Sequence, residues 1–468
     1  MSRWRCRRRS VAPSRCSRVA SFETSSSVFE WSCIVVLLVQ PERPSCRSWI
    51  DDVAYSQSGD PRIIANQEEP PVASNIGICL IGTKFMGRAH SNAWSSVPNF
   101  FDLKTRPRME IACGRNARET REFASRWDWA RGSTSWKTAI RDRRVGLVDV
   151  ATPNNLHADM SIAALEAGKH VACEKPLAGT LDDAREMARA ARAAKKRKLR
   201  TFVWFNYRRC PAVALAHQLV KRGKLGRIRH VRAVYLQDWG KADTPLLWRF
   251  DADVAGSGAH GDLNAHIIDM ARFITGDEIE EVTGAIEHTF IQKRAVPGGG
   301  GGAISGKGGA RKQARATSTV DDCVLFLARF AGGAVASFEA TRLATGNQNR
   351  NCIEINGDKG SIRFDFERMN ELSWWDDTLE SGLRGWSRIM CTNPGDHPWV
   401  EAYWPPAHLI GYEHGFISMS ADICRVLAGQ RPVVPIPDFE DAFRTQRVLE
   451  AAIMSARETR PVKLSEVR

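Results

Sequence analysis

Residues 76–81 read IGICLI and run without a break into Gly82-Thr83-Lys84-Phe85-Met86-Gly87, after which a helical stretch begins. A short unbroken apolar run fits a strand buried on both faces, the condition of a parallel sheet covered by helices. Runs of the same kind return at 109–113, 146–151, 170–173 and 201–205, with helical stretches at 117–127, 156–167 and 181–194 between them. Strand and helix in alternation require crossover connections. Residues 75–205 are therefore expected to form an α/β domain around a parallel sheet.

The pattern then changes. Longer alternating segments at 228–237, 280–292, 321–330, 334–341, 351–356 and 361–367 are separated by turn signals such as Ala331-Gly332-Gly333 and Asn356-Gly357-Asp358. They predict a largely antiparallel sheet in a second domain, 206–468, flanked by helices at 258–275, 412–427 and 440–456. The glycine-rich stretch 297–309 reads as a flexible loop between two strands. Residues 1–74, rich in Arg, Ser and Pro, form a poor folding unit and are expected to be a disordered or non-domain extension.

The net charge of +14 would admit a polyanionic partner if it covered the fold. It does not: segments 1–18, 185–200 and 293–320 together hold +20, and the rest of the chain is −6. The basic segments are not interleaved with aromatics, so neither nucleic acid nor a membrane is an expected partner. No run approaches the length of a membrane span. The twelve cysteines contain no CxxC pair and no zinc spacing. They predict reduced thiols in a cytoplasmic protein without a metal site.

Five motifs carry chemistry. The turn Gly82 to Gly87 has the strand–turn–helix setting in which backbone N–H groups approach a pyrophosphate, with Lys84 where a middle glycine is usual. Lys84 adds bulk and positive charge; the same spacing also fits an ordinary tight turn. After the second strand, Cys113-Gly114-Arg115 offers no acid for a ribose. Gly114 leaves room and Arg115 can pair with a 2′-phosphate, which leans towards NADP, while a solvated Arg115 fits equally. The loop Ala151-Thr152-Pro153-Asn154-Asn155-Leu156-His157 falls at the carboxyl edge of the sheet, where ligands bind; Thr152 and Asn154 also suit helix caps. Glu174-Lys175-Pro176 holds a lysine at that same edge, where it can polarise an oxygen, and its X-Pro bond is of the kind that adopts cis. In Gly258-Ala259-His260-Gly261-Asp262-Leu263-Asn264-Ala265-His266-Ile267-Ile268-Asp269, Asp262 and His266 share a helix face, with Asp269 one turn on as a partner for the imidazole ring. His266 suits a general base, and a satisfied core histidine is the plainer alternative.

Taken in order, IGTKFMGRAH, ATPNNLH, ACEKPLAGT, WFNYRR and GSGAHGDLNAHIID resemble the glucose-fructose oxidoreductase / inositol dehydrogenase (Gfo/Idh/MocA) family over about residues 75–464. The resemblance implies an N-terminal Rossmann domain and a C-terminal α+β domain with an open antiparallel sheet through which copies associate. It implies NAD or NADP as cofactor, held by Gly82, Thr83, Lys84, Phe85, Met86, Gly87, Arg115, Thr152, Pro153, Asn154, His157, Glu174 and Lys175. It also implies a catalytic set of Lys175, Asp262 and His266. His266 would take a hydroxyl proton while Lys175 hydrogen-bonds the same oxygen and Asp262 supports the pair. Asn264 stands where the family has a glycine. The expected activity is a dehydrogenase acting on a secondary alcohol of a sugar or inositol-like cyclitol. A glycosidase using bound NAD and a non-catalytic nucleotide-sensing regulator are the alternatives. Tyr207, Arg208, Asp238, Trp239, Trp248 and His414 are further pocket candidates.

Overall fold

The apolar run becomes the inner part of β1 (Ser74–Ile81), in which Ile78, Cys79 and Leu80 are wholly buried. The structure, a computed structural model, describes residues 74–297, 314–395 and 397–468, all within one unit, Glu69–Arg468. The expectations for residues 1–73 and for the glycine-rich stretch beyond Pro297 lie outside the described residues.

After β1 come α1 (Phe85–Phe100), β2 (Thr105–Cys113), α2 (Ala117–Arg126), β3 (Arg131–Ser133), α3 (Trp136–Ala139), β4 (Val145–Val150), α4 (His157–Glu166), β5 (His170–Cys173), α5 (Leu181–Lys195) and β6 (Thr201–Val203). The six strands lie in the order β3-β2-β1-β4-β5-β6, and all five pairings are parallel. The helices start where the local chemistry allows. Asn116 accepts the Glu119 N–H ahead of α2, and Thr180 accepts the Asp183 N–H ahead of α5. The strand order reverses between β1 and β4, so the loops after these two strands diverge and open a crevice at the carboxyl edge. The edge strand β3 escapes an apolar search because its sequence is Arg-Gly-Ser.

The second half runs α6 (Pro211–Lys221), β7 (Ile228–Leu236), α7 (Ala252–Ala255), α8 (Ala265–Thr275), β8 (Ile279–His288), β9 (Lys293–Ala295), β10 (Arg315–Thr317), β11 (Cys323–Phe330), β12 (Val335–Thr341), β13 (Arg350–Gly357), β14 (Gly360–Asp365), β15 (Glu371–Asp376), β16 (Ser387–Met390), α9 (Val400–Tyr403), α10 (Tyr412–Leu427), α11 (Phe439–Glu458) and β17 (Val462–Lys463). Nine of the strands form one open sheet, β16-β15-β14-β13-β7-β12-β11-β8-β17. It is antiparallel except where β7 meets β12 in parallel. The strands β9 and β10, on either side of the glycine-rich stretch, pair with each other as an antiparallel ribbon. One face of the large sheet is buried by α8, whose residues from Ala265 to Ile274 are all buried. The C-terminal helices return to the first sheet: Val203 N–H donates to Pro437 O at 2.9 Å, and Phe439 N–H donates to Thr201 Oγ1 at 3.3 Å.

Candidate active site

The turn after β1 is shaped by two glycines. Gly82 has φ +119°, and a Cβ there would run into the Ala151 carbonyl; a Cβ on Gly87 would run into the Gly82 carbonyl. Helix α1 begins with neither a side-chain cap nor an acid in its first turn. Its leading N–H groups are thus left for an anion, as a pyrophosphate requires. Thr83 reaches toward Gly114, Phe85 is exposed, and Met86 packs against the core. Lys84 is turned along the surface to Glu119, 2.7 Å away. Arg115 is exposed and has no side-chain hydrogen bond or ion pair among the described residues.

The loop after β4 lies opposite. Thr152 Oγ1 is buried without a hydrogen-bond partner among the described residues, and Pro153 leads into a short 3-10 turn. Neither Thr152 nor Asn154 caps a helix; Asn154 Nδ2 instead donates to Ala255 O at 2.8 Å, tying the loop to α7. His157 is wholly buried between Thr152 O at 3.0 Å and Pro176 O at 3.1 Å, so it joins the loop after β4 to the turn after β5. The two glycines, the uncapped helix and the unpartnered hydroxyl fit a bound dinucleotide.

At the end of β5 the Lys175–Pro176 bond is cis. Lys175 Nζ donates to Asp262 O at 2.8 Å and to Asp262 Oδ1 at 2.9 Å, which uses two of its three N–H bonds. The other oxygen of Asp262 accepts from Arg342 Nη2 at 2.9 Å. Burial alone would raise the Asp262 carboxyl, but Lys175, Arg342 and Arg249 outweigh it and hold the group well below its ordinary value. His266 is 7% exposed, and its Nδ1 is buried without a partner among the described residues. Burial and the Lys175 charge push its pKa well below the ordinary value, with Asp262 only partly opposing them. The imidazole is therefore neutral at neutral pH and keeps a lone pair for an incoming proton.

The surroundings of this cluster divide the remaining candidates. Tyr207 packs at a tilt against the His266 ring, 4.6 Å between centroids, and shares a 2.8 Å hydrogen bond with Tyr235, which in turn donates to Asn349. The Arg249 guanidinium lies 4.4 Å above the Trp248 ring and has no hydrogen bond or ion pair among the described residues. Its carbonyl accepts from Arg342 Nη1 at 3.2 Å, so one guanidinium joins Arg249 to Asp262. Trp239 packs beneath Arg342, at 5.0 Å. Asp238 is engaged by Lys241 at 3.1 Å. Arg208 is a correction: it is buried against Asp269 and Asp441 in an ion-pair network away from the imidazole. The same pairing corrects the expectation for Asp269, whose carboxylate faces Arg208 and not the His266 ring. His414 accepts the Gly411 N–H at the start of α10. Glu174 Oε1 is turned inward to His90 Nε2, at 2.9 Å. Sequence spacing missed Arg342, Arg249, Tyr235 and His90, because each reaches the site from a distant element.

Two family profiles match the chain: "Oxidoreductase family, NAD-binding Rossmann fold" over residues 76–202 and "GFO/IDH/MocA C-terminal domain" over 213–363. Levoglucosan dehydrogenase of Pseudarthrobacter phenanthrenivorans is 40% identical over 385 residues, covering 82% of this chain and 96% of its own. An oxidoreductase domain protein from Kribbella flavida superposes with a TM-score of 0.78 at 48% identity, covering 84% of this chain and 99% of that one. A levoglucosan dehydrogenase solved with NADH and levoglucosan superposes with a TM-score of 0.76 at 38% identity, covering 84% of this chain and 100% of its own.

Proposed function

The chain belongs to the GFO/IDH/MocA oxidoreductase family, and on that premise we propose that it oxidises a secondary alcohol of a sugar or cyclitol with a nicotinamide dinucleotide. The cluster of Lys175, Asp262 and His266 carries this reading, because it sets a neutral imidazole beside a lysine at the carboxyl edge of the dinucleotide sheet. The dinucleotide, when bound, supplies the hydride acceptor. Held at the glycine turn and beside Thr152, it would meet the substrate next to these three side chains. The imidazole of His266 takes the hydroxyl proton, and the uncommitted N–H of Lys175 steadies the oxygen as its bond to hydrogen breaks. Asp262, fixed between Lys175 and Arg342, keeps the lysine in place. The unpaired guanidinium of Arg249 is suited to sugar hydroxyls.

Residues 75–205 then serve as the dinucleotide domain and 206–468 as the substrate domain of a cytoplasmic enzyme. Association of copies through the second sheet is supported by Ile286, Leu327 and Val335, exposed by 64%, 56% and 42% on its outer face. Among the described residues no helix is long and apolar enough to cross a membrane.

A panel of sugars and polyols, followed by reduced-nicotinamide absorbance with each cofactor, tests the reading. At least one alcohol is expected to be oxidised, with activity lost in both Lys175→Ala and His266→Ala. Activity that survives both substitutions overturns the mechanism. The place of Arg115 at the end of β2 supports use of NADP beside NAD. Arg115→Ala is expected to weaken NADP binding about tenfold, the scale of one charge-assisted contact, and to leave NAD within twofold in a fluorescence titration.

A further inference from the structure

Beneath Lys175 lies a chain of charged groups that the proton transfer does not use. Asp149, at the end of β4, is wholly buried, as is His90 of α1; Glu174, after β5, is 5% exposed. His90 Nδ1 is 3.0 Å from Asp149 Oδ2, and His90 Nε2 is 2.9 Å from Glu174 Oε1. Trp94 and Trp204 each donate an indole N–H to Asp149, at 2.7 and 2.9 Å. Glu174 Oε2 accepts the backbone N–H of Lys175 at 3.2 Å.

A neutral imidazole has one donor, yet both of these nitrogens face carboxylate oxygens. With both carboxylates ionised both nitrogens donate, and His90 is then an imidazolium. Burial would lower its pKa, but Asp149 and Glu174 more than offset this and raise it to about 9. Asp149 and Glu174 are the charges that act on it most, and the rings of Trp204, at 4.1 Å, and of Phe416 on α10, at 5.7 Å, pack against it. A buried ionic chain of this kind is a poor way to gain stability, since apolar residues of the same volume often do as well. What it does supply is position. Its three members come from the helix behind the glycine turn, from the strand before the Thr152 loop and from the turn that bears Lys175.

We propose that Asp149, His90 and Glu174 are positioning residues that clamp the Lys175 backbone, so that Nζ is held against Asp262 in the geometry the reaction needs. The catalytic part of this statement rests on the dehydrogenase reading; the clamp itself does not. Glu174→Gln and Asp149→Asn are the test variants, because each keeps shape but turns an NH2 group toward a donor. Lys175 labelling by trinitrobenzenesulfonate, quantified by peptide mass spectrometry, is expected to quicken at least fivefold in each, with exposed Lys224 within twofold. On an alcohol that wild type oxidises, kcat is expected to fall ten- to a hundredfold in each, with NADH affinity within threefold in Asp149→Asn. Hydrogen exchange on unaltered protein adds a measurement that does not depend on a variant folding. Protection of the Lys175 amide, corrected for the intrinsic rate, is expected to drop between pH 8 and 10 by at least tenfold more than that of Val171 in β5, which reports the global loss of stability. Lys175 labelling within twofold of wild type in either folded variant, or Lys175 protection that is flat across that range, overturns the clamp. The alcohol panel on wild type reports on the dehydrogenase reading alone, and labelling and exchange report on the clamp alone.

Discussion

At His266 burial and the neighbouring lysine act in the same direction, and the imidazole titrates below the usual value of about 6.5. Alcohol oxidation needs the neutral base. The rate of oxidation is therefore expected to hold as the pH falls from 8 to 6.5 and to drop only below that. A profile of log kcat against pH checks this, and an acid limb above pH 7 would contradict it. His266→Asn should lower kcat by about 10²- to 10⁴-fold, the usual contribution of a positioned base. Arg249 leads to a different expectation. As an unpaired cation at the same cleft it serves binding, so Arg249→Ala should raise KM about ten- to a hundredfold with kcat changed by less than threefold, the scale of hydrogen bonds to a charged donor. Steady-state kinetics on one alcohol separates the two effects. For Lys175, Asp262 and His266 the sequence carries local signals, a Lys-Pro pair after an apolar run and a four-residue helical spacing, and the structure brings Lys175 and Asp262 together. Arg342 and Arg249 carry no such signal. Asp269 was misread because helical spacing gives neighbours on one element, whereas Arg208 reaches it from another.

The elements show where local pattern suffices and where tertiary contacts take over. The glycine turn is an element whose conformation is dictated by its residues. Gly82→Ala places a side chain at φ +119° and against Ala151. Backbone strain of about 1–3 kcal/mol follows, and the loop after β4 must move away. NADH affinity is expected to weaken tenfold or more, with a lower thermal midpoint; fluorescence titration and calorimetry measure the two. An affinity within twofold of wild type would show that this turn does not hold the dinucleotide. The stretch 258–275 is the opposite case. Its apolar spacing predicts one continuous helix, but a π turn at His260–Asn264 precedes α8. Asp321 takes the N–H groups of Gly258 and His260, and Asn264 Nδ2 is held by His260 Nδ1 and Val324 O. These partners are some sixty residues away or depend on packing, so no helical periodicity could report them. The Asp262 carbonyl, within this turn, accepts from Lys175 Nζ at 2.8 Å.

For the whole molecule, the question is what the buried charges do to stability. The net +14 has little bearing on it, because the excess sits in short segments: one covers the later part of α5 and its exit, one lies outside the described residues, and so does half the charge of the third. The return of α11 onto α5 and β8 joins the two sheets, so the loss of one buried network should be felt in a single transition. His90 makes this measurable. Its pKa is about 9 when folded and about 6.5 when unfolded. Between these values the native state holds the proton and the unfolded state has lost it, so stability must fall as pH rises. The contribution is fully present below about pH 6.5 and is gone above about pH 9; a shift of this size corresponds to about 3 kcal/mol. Urea unfolding at pH 6.5, 7.5, 8.5 and 9.5 is expected to show a midpoint that declines through this window. In His90→Gln, which cannot take up the proton, the midpoint should start lower and decline less over the same window. Parallel declines in the two proteins would mean that His90 is not the group whose titration sets the slope.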